Sequence, residues 1–268
     1  MRGVIRRGFS LIELMVLIGI IALILAIALP ALGGARSTAK QTLALANMRS
    51  TQQLFEQYAS EHGQYPFRAA GDQPAELNDP VGPNEVMFSW YPKGVAVATS
   101  NHFDQATLWP AIVAPISEWP GIAETWVSPG RDFELPELED LLGGLEIEPV
   151  EMFSIVYSNS FVARPTLWMP DRGETVDRVA ELRPTRASEV RAPAGKVMLW
   201  DRHLAYLSKE PEREGEHYRA KTPMAFADGH GAFEDPTEAE PGVANPLNGG
   251  NETRLHNTAQ GVYGVDYD

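Results

Sequence analysis

The sequence predicts an α+β protein, with a long N-terminal helix packed on an antiparallel β-sheet domain that has irregular loops. Three observations carry that prediction. Leu14 to Leu32 form an apolar run interrupted only by Gly19 and Pro30. A polar stretch with helical spacing continues from it, and beyond about Phe67 Pro and Gly punctuate short runs rich in aromatic and β-branched residues.

As a helix, the 19 residues from Leu14 to Leu32 measure about 28 Å, close to the roughly 30 Å hydrocarbon core of a bilayer. The first half of the helix can therefore span a membrane. Arg2, Arg6 and Arg7 precede the run and no basic residue falls within it, so the N-terminus is expected in the cytoplasm and the C-terminal bulk outside. A cleavable signal peptide is the competing expectation; the run is long for one, and no small-x-small site separates from its Ala-rich end. Glu13 is out of place at the head of such a run. An ionised carboxylate at mid-bilayer costs roughly 2.5 to 3.5 kcal/mol, so Glu13 needs a partner or must snorkel to the interface from a plain anchor.

Past Pro30 the segment ALGGARSTAKQTLALANMRSTQQLFEQYASEHGQYP turns polar, while Ala44, Met48, Thr51, Phe55 and Tyr58 recur on one face at three- and four-residue steps. That face should dock on a domain. Pro30 removes an internal hydrogen bond, and Gly33 and Gly34 each lower helix propensity by about 1 kcal/mol, so a bend or melted turn is expected there. Gly63 and Pro66 mark the end of the helix.

In the remainder, EVMFSW, FSIVYSNSFV, KVMLW and MAFAD are the best strand candidates. MAFADGHGAFE reads as a hairpin with Asp228 and Gly229 at positive φ in the turn. A short acidic helix is expected over Leu135 to Leu142. After Glu234 hydrophobic periodicity disappears, and an irregular acidic tail draped over the domain is expected. The formal net charge of −14 over 268 residues, with three of the 22 basic residues ahead of the apolar run, argues against nucleic-acid binding, which requires a basic surface. With no cysteine in the chain, disulfides and thiolate metal sites are excluded.

The stretch RRG-FSLIE followed by an apolar helix with Pro30 well down it resembles the leader of type IV prepilins and type II secretion pseudopilins. The resemblance implies cleavage by prepilin peptidase after Gly8, methylation of the new N-terminal Phe9, and assembly in which Glu13 of one subunit neutralises that amine on its neighbour. Pro30 stands at the family's usual helix kink. The YP close of the helix also resembles that family. A second likeness lies downstream. EVRAPAGKVMLWDRH and HYRAKTPMAFADGHGAF are similar to the C-terminal half of planctomycete-type pseudopilins, which carry a His, nine residues, then Asp-Gly. Here ten residues separate His217 from Asp228, which implies a local insertion or shifted register. WVSPGRD also resembles a segment of that family, with Ser128 where Cys is usual and no Cys near Leu43, so any disulfide of the family is lost here.

These likenesses imply a division into a leader (1–8), a transmembrane and filament-core helix (9–32), its amphipathic continuation (33–66), an exported β-rich domain (67–233) and an acidic tail (234–268). They imply a non-enzymatic pilin or pseudopilin subunit of a type II secretion pseudopilus or type IV pilus-like filament. It would be single-pass in the inner membrane with a periplasmic domain, and would partner pilin-like subunits, the peptidase and an inner-membrane assembly platform. The competing class is a membrane-anchored exported hydrolase or metal- or ligand-binding module, which would need a concave site with a nucleophile or a metal. Asp201, His203, His217, Asp228 and His230 are the residues that could build one. Their spacing matches no metal motif; His217, Asp228 and Gly229 fit structural turn roles, and no cofactor is expected, with calcium left open by its use in some type II pseudopilins.

Overall fold

A computed structural model describes residues 10–69, 86–89, 96–99, 105–115, 118–135, 152–169, 178–246 and 252–268. The chain divides into two compact units, Met1–Lys40 and Gln41–Asp268. Helix α1 (Leu11–His62) contributes to both.

In the first unit, α1 runs without interruption through Pro30, Gly33 and Gly34. The expected melted turn is absent. An interior proline costs one backbone hydrogen bond, and a helix of 52 residues keeps its remaining bonds on both sides because propagation is cooperative. Thr38 donates its hydroxyl to Gly34 O at 3.1 Å, an additional bond one turn back along the helix.

In the second unit, α1 buries Ala44, Met48, Thr51, Gln52 and Phe55. Four of these lie on the predicted apolar face. Tyr58, the fifth residue expected there, is half-buried and stacks on His62 at 4.0 Å. Gln52 is buried because its Nε2 donates to the backbone oxygen of Phe226, a tie no hydrophobic pattern shows. Gly63, at φ +73°, ends the helix, its N–H reaching Ala59 O at 2.8 Å.

The main sheet is antiparallel, in the order β3 (Ile155–Tyr157), β4 (Val197–Asp201), β7 (Thr222–Phe226), β8 (Gly231–Glu234). Separate two-stranded ladders join β1 (Val86–Ser89) to β2 (Ala96–Thr99), and β5 (Arg213–Glu214) to β6 (His217–Tyr218). All four predicted strand segments therefore contribute strands. Of FSIVYSNSFV, however, only Ile155–Tyr157 is extended. Ser158 then caps a 3-10 turn by accepting the Ser160 N–H at 3.3 Å, and the chain leaves the sheet. The acidic helix expected over Leu135 to Leu142 falls almost wholly outside the described residues.

Both faces of this sheet are covered. Side chains alternate across a strand, so Tyr157, Leu199 and Ala225 share a core with Met48 and Phe55 of α1, while Val156, Trp200 and Met224 share another with Ala239 and Leu255. Every residue of β4 and β7 is buried as a result. On the α1 side the core is aromatic: Phe55 lies 5.1 Å from Trp109 and 4.8 Å from Tyr157, and Trp126 meets Trp109, Trp119 and Phe153 edge-on at 5.2 to 5.7 Å.

The C-terminal segment is irregular and lies against the domain, more deeply buried than a loose tail. The described residues after Glu234 have little regular structure, yet Leu255, Asn257, Thr258, Val262 and Asp266 are buried. Hydrogen bonds fix the segment in place. Ser158 Oγ donates to Leu255 O at 2.5 Å, Ser160 Oγ to His256 O at 2.9 Å, and Asp266 N to Gly195 O at 2.8 Å. It is a layer of the domain.

Candidate functional site: the N-terminal helix and the His-Asp residues

Gly8 and Phe9, the expected cleavage and methylation positions, lie outside the described residues. From Ser10 onward the helix start is closed by a reciprocal pair: Ser10 N donates to Glu13 Oε2 at 2.8 Å, and Glu13 N donates to Ser10 Oγ at 3.2 Å. This is a capping box, in which an N-cap Ser and a Glu three residues on satisfy each other's orphan amides. Glu13 thus has a partner within its own chain. Among the described residues, its second carboxylate oxygen has no hydrogen-bond partner.

Beyond the cap, the large apolar side chains from Leu11 to Leu32 are 47–74% exposed. In water such a surface is strongly unfavourable, at about 25 cal/mol per Å² of apolar area. Among the described residues, this is the one helix long and apolar enough to cross a membrane. Pro30 sits inside it.

The five His and Asp residues do not converge: Asp201 bonds the His203 backbone, Asp228 pairs with His230, and His217 stands apart. Asp201 ends β4 and is buried; its Oδ1 accepts the His203 and Leu204 N–H groups at 2.8 and 3.3 Å, folding the chain back at the strand end. Burial raises the Asp201 carboxyl above its ordinary range, opposed by hydrogen bonds from Ser128 and from those amides. His203 carries a buried Nδ1 without a protein partner, and burial together with the nearby Arg131, Arg202 and Arg213 lowers it to about 4. His217, on β6, is buried and donates Nε2–H to Arg254 O at 3.0 Å. Asp228 pairs with His230 Nδ1 at 2.6 Å and also accepts its N–H at 3.0 Å. Burial works to raise the Asp228 carboxyl, but the His230 contacts hold it below the usual carboxylate range. Among the described residues, no group of three or more His, Asp or Glu side chains is placed to hold a metal ion.

At the β7–β8 turn the expectation of positive φ at both Asp228 and Gly229 is corrected: only Gly229, at +96°, has it. Gly229 N donates to Phe226 O at 3.0 Å and Phe226 N to His230 O at 2.9 Å, the pattern of a three-residue loop whose last member is left-handed. Gly229→Val is therefore expected to cost about 1 to 3 kcal/mol through strain. Asp228→Asn should cost under about 1 kcal/mol, because an exposed pair contributes little and Asn keeps the acceptor. Denaturant melts of the two variants, with and without chelator, check this order; a chelator-sensitive loss confined to Asp228→Asn would reverse it.

Sequence reasoning missed the buried polar residues that join the C-terminal segment to the sheet. Lys196, Thr258 and Asp266 meet across 62 to 70 residues of chain, and no local spacing marks them. His256 is half-buried beside Trp200, at 4.6 Å, with Nδ1 accepting the Asn159 N–H at 3.3 Å. The capping box differs, since its S-x-x-E signature stands in the sequence at Ser10 to Glu13. No family model, curated protein or solved structure matches the chain.

Proposed function

We propose that the chain is a pilin-like structural subunit, held in a membrane by the first part of α1 and assembled through that helix into a pseudopilus or type IV pilus-like filament. The observation that carries this reading is the combination at one end of the chain. An RRG-FSLIE leader opens onto an apolar helix whose large side chains are exposed among the described residues and whose only acidic residue as far as Lys40 is Glu13. Lipid covers such a helix in the stored subunit, and neighbouring copies cover it in the fibre. Cleavage after Gly8 on the cytoplasmic side would create a cationic amine at Phe9, which Glu13 of a neighbouring subunit would neutralise in the fibre. The domain from Gln41 onward faces away from the membrane and sets lateral contacts. Its role is structural, not catalytic.

Two measurements test the reading. Mass spectrometry of the native N-terminus should find methylated Phe9; mature cell-surface material that retains Arg2 to Gly8 would remove it. The capping box makes a sharper test of Glu13. Glu13→Gln keeps a side chain able to cap the helix while removing the charge, and Glu13→Ala removes both. Both variants should insert in membranes at least as well as the parent, because each lacks a charge that is costly in lipid. Neither should form filaments. If fractionated Glu13→Gln cells yield normal filaments while Glu13→Ala cells do not, Glu13 is a helix cap and nothing more.

A further inference from the structure

Where β4 begins, a lysine, a threonine and an aspartate meet in a site closed to water. Lys196 Nζ lies 2.9 Å from Asp266 Oδ2, and the two side chains are 0% and 1% exposed. Thr258 bridges them: its hydroxyl accepts from Lys196 Nζ and donates to Asp266 Oδ1 at 2.5 Å. The backbone N–H of Val197 donates to Asp266 Oδ2 at 2.9 Å. Phe161 presents its ring 5.9 Å from Nζ.

The backbones on either side are locked together as well. Gly195 O accepts from Asp266 N and Tyr267 N at 2.8 and 3.1 Å, and a Cβ on Gly195 would stand only 2.3 Å from Tyr267 O. Only glycine permits that approach. The main chain thus fixes the spacing of the two residues, and burial with the Thr258 and Asp266 contacts holds the amine at the end of the Lys196 side chain, the positioning from which intramolecular reactions gain.

We propose that Lys196 and Asp266 condense into an intramolecular isopeptide bond, formed by the folded domain itself. The atoms balance without an oxidant or a co-reactant. A proton passes from the Lys196 ammonium to the Asp266 carboxylate, giving neutral amine and carboxylic acid. Burial favours this exchange by driving the Lys196 amine toward its neutral form, against the pull of the Asp266 charge. The Nζ lone pair forms the new bond to Asp266 Cγ. Charge developing on Oδ2 is met by the Val197 N–H, and Oδ2 remains as the amide oxygen. The Cγ–Oδ1 bond breaks, and Oδ1 leaves as water with the acid proton and one proton from Nζ, relayed by the Thr258 hydroxyl that touches both atoms. In a chain without cysteine, the product closes a covalent loop between residues 70 positions apart, joining the C-terminal layer to the sheet.

Intact mass spectrometry of the full chain, purified in detergent, tests this directly. The wild type should weigh one water less than its sequence, trypsin should fail to cut after Lys196, and the peptide map should contain a branched peptide joining Lys196 to Asp266. Lys196→Arg keeps a cation but cannot form the amide, and should weigh its full sequence mass. Thr258→Val removes the relay and should slow bond formation on the order of 10²-fold, the contribution of a positioned proton-transfer group. A folded wild type at full mass would overturn the proposal and leave an ion pair. So would a missing water that maps to Asp228–Gly229, where an Asp-Gly sequence can dehydrate by itself. Bond formation in Thr258→Val at the wild-type rate would overturn the relay.

Discussion

Deleting residues 252–268 is expected to prevent the second unit from folding, not to trim a tail. The segment supplies Leu255 and Val262, both 0% exposed, to the cores on the two sides of the sheet. Each buried aliphatic side chain of this kind contributes about 1.5 to 3 kcal/mol. The deletion also removes Asp266 and so strands Lys196, a fully buried cation; breaking a buried pair by losing one partner costs about 3 to 5 kcal/mol. Further losses follow at Ser158 and Ser160, whose hydroxyls would keep no acceptor from the segment. Together these approach or exceed the roughly 5 to 15 kcal/mol by which a whole domain is stable. The truncated chain should lack a cooperative melt followed by tryptophan fluorescence, since Trp109, Trp119, Trp126 and Trp168 are all buried. A truncated chain that melts within a few degrees of the parent would mean that the segment lies over the fold without supporting it.

Acidification below about pH 6.5 is expected to destabilise the second unit, with His256 and His203 contributing comparable shares down to about pH 4. Burial, with the charges of His217, Lys196 and Arg202 nearby, lowers His256 from 6.5 to about 3. Its Nδ1 accepts a backbone N–H, so protonation there would set a donor against a donor. Because the folded value lies below the unfolded one, the unfolded chain binds the proton first as pH falls. Stability is therefore complete above about 6.5 and declines through the interval down to about 3. At about 1.4 kcal/mol per unit, His256 alone accounts for roughly 3 kcal/mol by pH 4. His203, lowered to about 4, acts in the same direction. Asp201 and Glu56, raised mainly by burial, act in the opposite one: the folded chain takes up their protons first, which supports it as pH falls. Unfolding free energies of the full chain in detergent from pH 7 to 4 should show the decline. His256→Asn should lower stability at pH 7 and flatten the slope; an unchanged slope would assign the acid sensitivity to other groups.

Residue by residue, short-range patterns were legible. The apolar run and its flanking arginines mark a membrane-length helix, and steps of three and four residues mark the face that buries Ala44, Met48, Thr51 and Phe55. Runs such as KVMLW and MAFAD become β4 and β7 because β-branched and aromatic side chains suit a pleated surface covered on both sides. Such signals repeat within a turn of helix or a few residues of strand, so they survive in a linear text. Tertiary structure alone decided the rest. It made the acidic, unpatterned C-terminal segment a core layer, and joined Lys196 to Thr258 and Asp266. It also placed Asp201 with the His203 backbone, His217 with Arg254 and Asp228 with His230, so that they do not converge on one centre. It placed positive φ at Gly229 alone, because the hairpin closed with a three-residue loop. For the C-terminal layer and the Lys196–Thr258–Asp266 cluster the physical reason is the same: a contact between residues far apart in sequence leaves no local period, and only packing selects which distant groups meet. At Gly229 and the His and Asp residues the sequence offers turn chemistry, and strand register selects which turn forms.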